Sequence, residues 1–175
     1  MTATSPPVTA EYRQSSWDLT ALLPDGDEQT LAARFDEIRA AVERFERHRD
    51  ELGPELAPAR LIAILEEYEE IVSRSWVVSA YASLAFSADT QSRKHLSLRS
   101  RVHEFLTGMF NRILFFSLWW RSLSQEEAAR LLPDREEYPD SRHYLEELRL
   151  LAPFTLDERS EQLINLKDAN GIDAL

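Results

Sequence analysis

An all-α fold, a bundle of about three long antiparallel helices followed by shorter ones, is predicted by three features of this 175-residue sequence. Apolar residues recur at helical spacing over three long stretches. Only four glycines and eight prolines occur, most of the prolines between those stretches, so the composition favours uninterrupted helices over strands and turns. Helix start signals stand where the periodic runs begin. With 43% hydrophobic residues, the length suits one domain with a real core, or one piece of a larger one.

Residues 1–15 are expected to form a disordered tail, since Met1 to Pro7 carry neither the basic nor the apolar region of a secretory signal. Trp17-Asp18-Leu19-Thr20-Ala21-Leu22 follows and closes on Pro24-Asp25-Gly26, a turn signal. This reads as an extended or one-turn segment whose Trp17 and Leu19 pack onto the bundle. The first long helix should start with Asp25 or Asp27 as N-cap. Its apolar seam runs Leu31, Phe35, Ile38, Val42, Phe45 and Leu52, and Gly53-Pro54 should end it.

The second helix should begin near Pro58, tolerated in a first turn, with Leu61, Leu65, Tyr68, Val72, Ser75, Ser79 and Ala82 inward and Glu66, Glu67, Glu69 and Glu70 mainly outward. From Trp76 to Ala88 charge disappears and Ser and Ala recur, so this half is expected to be interior on all sides. Asp89-Thr90 should break the chain and cap the third helix, whose Leu98, Val102, Phe105, Met109, Ile113, Phe116 and Leu123 keep helical spacing.

Ser124-Gln125-Glu126-Glu127 is a capping box opening a short fourth helix that stops at Pro133. A fifth is expected from about Pro139 to Leu151, with Tyr144, Leu148 and Leu151 inward and Pro153 ending it. Thr155-Leu156-Asp157-Glu158 reads as a second capping box before Leu163, Ile164 and Leu166. Asn170-Gly171 should end that helix, and Ile172 to Leu175 look like the start of an element with nothing after it, as in a chain cut short. No fixed-period repeat or low-complexity segment occurs.

The composition excludes several functions. A net charge of -11 disfavours nucleic acid and anionic membranes as partners. The absence of cysteine rules out disulfides, thiolate metal sites and a thiol nucleophile, and suits a reducing cytoplasm. No charge-free apolar run reaches the roughly 20 residues that span a bilayer. Glycines at 26, 53, 108 and 171 cannot form a phosphate loop. No serine sits in a nucleophile elbow.

The nearest thing to a catalytic motif is His103-Glu104-Phe105-Leu106-Thr107. A zinc peptidase needs His-Glu-x-x-His, in which two imidazoles one turn apart hold the metal beside a general-base glutamate. Thr107 replaces the second imidazole, so no metal ligand is assigned here, nor to His95, His48 or His143. His48 is expected on a solvated face, among charges. The third helix carries Arg93, Lys94, Arg99, Arg101, Arg112 and Arg121, which are read as matching the Glu-rich second helix and the acidic stretches at 126–137 and 146–161.

Trp17 to Leu22, then Tyr81-Ala82-Ser83-Leu84-Ala85-Phe86-Ser87-Ala88-Asp89-Thr90, then Arg142-His143-Tyr144-Leu145-Glu146-Glu147-Leu148-Arg149 running on to Ala152-Pro153-Phe154-Thr155-Leu156-Asp157, together resemble the N-terminal region of the oligoendopeptidase F family, the thimet-oligopeptidase-like zinc metallopeptidases. The likeness runs from about residue 16 to the end. It implies an N-terminal helical lobe over 16–175 that forms one wall of a deep channel admitting short unstructured peptides, in a cytoplasmic peptide hydrolase. Zinc, held there by His-Glu-x-x-His and a downstream glutamate, would belong to a C-terminal catalytic lobe of the same polypeptide, absent from this chain. The resemblance therefore assigns no catalytic, cofactor-binding or metal residue here and implies that these residues alone are inactive. From the residues alone, a free-standing interaction module using the seam Leu31, Phe35, Ile38, Val42 and Phe45 stays open as the alternative.

Overall fold

A computed structural model describes residues 17–53 and 55–171. The tail at 1–15, Pro54 and residues 172–175 lie outside the described residues. Among the described residues there are six α-helices and two 3-10 helices: α1 (Glu28–Phe45), a 3-10 helix (Glu46–Glu51), α2 (Pro58–Ala88), α3 (Arg93–Ser122), α4 (Gln125–Leu131), α5 (Pro139–Leu150), a 3-10 helix (Ala152–Phe154) and α6 (Glu158–Asn170). The three long helices α1, α2 and α3 pack on one another, and α5 and α6 lie against α3.

Local chemistry sets most of the boundaries. Asp27 caps α1, its Oδ1 accepting from the amide of Thr30 at 2.7 Å. Pro58 opens α2, and the Ser124–Glu127 capping box opens α4, with both of its hydrogen bonds formed. Two expected caps move. Ser92, not Asp89-Thr90, caps α3 by accepting from the His95 amide. At α6 the cap is Asp157, accepting from the Ser160 amide. The expected Thr155–Glu158 box does not form, because the Thr155 hydroxyl donates to the Leu151 carbonyl and Glu158 faces Arg49.

The α1 seam is internal: Leu31, Ile38, Val42 and Phe45 are buried, with Phe35 and Leu52 packed against the core. It is not available to a partner. Burying each such side chain contributes about 1.5–3 kcal/mol. Phe45 lies between three aromatic rings, Tyr68, Phe115 and Phe116, with centroids 5.7–5.8 Å away. Buried Trp120 donates its indole N–H to the Leu145 carbonyl at 2.8 Å, which joins α3 to α5.

Four expectations about packing are overturned. On α2, Leu61, Leu65, Ser75 and Ala82 are buried as expected and Tyr68 packs against the core, but Ile64, Ile71, Val78 and Ala85 complete the inward face in place of Val72 and Ser79, and Val72 is exposed. The segment from Trp76 to Ala88 is interior on this one face only: Trp76 is 67% exposed, and Ser83, Leu84 and Ser87 are exposed too. Trp17 is exposed, and Leu23 anchors the first turn in its place. Leu151 points outward, because the chain turns into the second 3-10 helix one residue later.

Among the described residues no helix is long and apolar enough to cross a membrane.

Candidate functional site: an outward apolar face on α5 and α6

Helix α6 is attached the wrong way round for a surface helix. Gln162 and Asn165 point toward the bundle, one turn apart on the same face. The Gln162 side-chain amide donates to the Asn111 carbonyl at 3.0 Å, Asn165 donates to Asn111 Oδ1 at 2.8 Å, and buried Asn111 donates to the Gln162 carbonyl at 3.3 Å. At the start of the helix Glu158 accepts a two-pronged bond from Arg49, at 2.7 and 2.9 Å. The arginine holds the Glu158 carboxyl below the usual range. No described side chain of α6 is fully buried.

The apolar residues of this region face out. Phe154 is 79% and Leu163 65% exposed, and Leu150, Leu151, Leu156, Ile164 and Leu166 are exposed with them. Scattered exposed leucines are ordinary. Seven large apolar side chains exposed between Leu150 and Leu166, on three consecutive elements, are a concentration of the kind that marks an interaction surface.

Two grooves adjoin α6. One, of about 650 Å³, lies between α2 and α3 and reaches Leu166 and Ala169. It contains His103, Glu104 and Thr107 beside small residues of α2. Among the described residues no group of three or more His, Asp or Glu side chains is placed to hold a metal ion. The other groove, of about 530 Å³, runs between the first 3-10 helix, the last turns of α3 and the loop into α6. Leu52, Phe115, Leu118, Trp119 and Leu156 line it, with Arg49, Arg121 and Glu158. A third hollow, of about 410 Å³, holds Tyr81, His95 and Arg101 beside the first turn.

The first 3-10 helix ties these parts together. Glu46 accepts from Arg112 of α3 at 2.6 and 2.8 Å, Glu51 accepts from Arg60 of α2, and Arg49 reaches Glu158 while stacking 4.2 Å above the Phe115 ring. Hydrogen bonds from Arg60, and then from His48, hold the Glu51 carboxyl at about 2. His48 is buried here, not solvated: Nδ1 is 3.1 Å from Glu51 and Nε2 3.0 Å from Glu67. Arg101 and Arg112 of α3 thus find their carboxylates on α1 and beside it (Arg101 with Glu28, Arg112 with Glu46), while Arg99 lies over the Phe86 ring of α2. The α2 glutamates pair mostly elsewhere, Glu70 with Arg74 and Arg44.

Sequence reading missed Asn111, Gln162, Asn165, His48 and Arg121. Polar residues at helical spacing opposite Leu163 and Ile164 were the one available signal of the inverted α6.

Residues 119–174 match the family model described as Oligopeptidase F, an N-terminal peptidase M3 domain. This supports the likeness to the N-terminal region of the oligoendopeptidase F family over that part of the chain. The match takes in α4, α5, α6 and the outward apolar face, and of the three resembling stretches it includes Arg142 to Asp157. Trp17 to Leu22 and Tyr81 to Thr90 lie before it. No curated protein and no solved structure matches the chain.

Proposed function

We propose that this chain is the N-terminal, channel-forming helical lobe of a zinc-dependent oligoendopeptidase, and that the hydrolytic site belongs to a C-terminal catalytic lobe which packs on α5 and α6. The observation that carries this reading is the inverted α6, which lies inside the Oligopeptidase F match. A helix that gives Asn and Gln to its own bundle and Leu and Ile to the outside is suited to a position between two packed layers. On this reading the apolar face is the inter-lobe contact, and zinc and the catalytic glutamate come from the other lobe. The chain's own contribution is rigid shape, fixed by α1–α3, that admits short peptides and excludes folded proteins.

The test is to read the gene in frame beyond Leu175 and assay the longer product. A downstream His-Glu-x-x-His helix is expected, with zinc-dependent cleavage of a quenched fluorescent oligopeptide by the extended polypeptide and none by residues 1–175. An unrelated gene with its own start at that position would refute the reading.

A further inference from the structure

The groove beside Trp119 contains an arginine nitrogen with no hydrogen-bond partner among the described residues. Arg121 lines it, and the Nε of its guanidinium is buried with no hydrogen-bond acceptor. Two other buried side-chain atoms are similarly unbonded, on Ser75 and His95, whereas His48 Nε2 lies 3.0 Å from Glu67. A histidine nitrogen can be the unprotonated one and needs no acceptor, and a serine hydroxyl is neutral and rotates. Arginine Nε always carries its proton and part of a full positive charge. A buried donor of this kind is rare without a partner.

The surroundings favour an anion from outside. Arg49, the other cation of the groove, is already committed, doubly bonded to Glu158 and stacked on Phe115. The α3 carbonyls, which would repel an anion at a helix C-terminus, are occupied by Arg149, whose guanidinium donates to those of Trp120, Arg121 and Leu123. Leu52, Leu118, Trp119 and Leu156 line the same groove and offer apolar contact beside the charge. Partial removal from water strengthens the pull of a cation on a carboxylate.

We infer that this groove binds the C-terminal residue of a short peptide, with its terminal carboxylate on the Arg121 guanidinium and its apolar side chain against Trp119 and Leu156. That the ligand is a peptide rests on the function proposed above. The groove borders the outward apolar face at Leu156 and Thr155, so a peptide seated there lies along the wall of the channel.

The test uses the 175-residue chain and a tripeptide ending in leucine, in free-acid and C-amidated forms, with binding followed by tryptophan fluorescence and calorimetry. The free acid should bind about tenfold or more tightly than the amide, the size of one charge-assisted contact. Arg121→Gln should abolish that difference with an unchanged circular dichroism spectrum, and Arg121→Lys should keep part of it. Equal binding of acid and amide, no binding of either, or a preference that survives R121Q would overturn the assignment. So would an amidated peptide with a glutamate side chain binding as well as the free acid, since it would show that the site takes any carboxylate. None of these outcomes depends on a downstream catalytic lobe, so failure here leaves the lobe assignment standing.

Discussion

The α1–α3 bundle and the α5–α6 region use the same residue types in opposite ways. In the bundle, Val42, Phe45, Ile64 and Phe116 turn inward and the glutamates and arginines turn out. In α6, Asn165 and Gln162 turn inward and Leu163 and Ile164 turn out. The bundle is a finished core, whereas α6 leaves its apolar side uncovered. A polar clamp is enough to locate a helix, but each net hydrogen bond contributes only about 0.5–1.5 kcal/mol, well below a buried leucine. So α6 should be the weakly held part of the protein until its outer face is covered.

Substitutions can break or sharpen that contrast. Trp120→Ala should have the largest effect, about 3–5 kcal/mol in chemical denaturation, since it empties the site of the largest fully buried side chain. Trp120→Phe should cost less but should loosen α5 through loss of the indole bond to the Leu145 carbonyl. Asn111→Ala should cost about 1–3 kcal/mol. Its loss should be local, with faster hydrogen exchange over 158–170 and unchanged exchange in α1. Equal acceleration across the molecule would remove the distinction between the two regions. Gly26→Ala should cost about 1 kcal/mol or more, since Gly26 sits at φ 57° and an added Cβ would meet the Tyr81 hydroxyl at 2.6 Å.

The effect of pH falls mainly on the first 3-10 helix. Glu51 titrates at about 2 when folded, against an ordinary 4.5. A depressed carboxylate stabilises the folded state above its unfolded value, and that contribution disappears as pH falls from about 4.5 toward 2. Melting temperature should drop through this window, less steeply in Glu51→Gln. The side chain is exposed, so solvent screening keeps the effect small. Smallest of all, Leu163→Glu should change stability by no more than about 0.5 kcal/mol while lowering hydrophobic-dye binding and self-association of the chain. A marked loss of stability would mean that Leu163 packs inward.

Much of the bundle was legible because one-face periodicity and end chemistry agree there. The α1 seam, the Asp27 cap, Pro58 and the Ser124–Glu127 box are all found where sequence places them. Where two caps compete, sequence does not decide. Ser92 beats Asp89, and Asp157 beats Thr155, because each choice depends on where the preceding chain arrives. The stretch from Trp76 to Ala88 misled for a different reason. Lack of charge says that a surface avoids water, not what covers it, and in this chain Trp76 and Leu84 are uncovered. Arg121 and the Asn111 clamp were illegible because their meaning lies in contacts 30 and more residues away, or in the lack of one.

The most direct test of the proposed inter-lobe face exploits the absence of cysteine. A single Leu163→Cys probe, labelled with a maleimide, should react fast in the 175-residue chain and become protected in the polypeptide extended through the catalytic lobe, while Thr20→Cys, on the exposed first turn, reacts alike in both. Undiminished labelling at position 163 in the longer polypeptide would contradict the account.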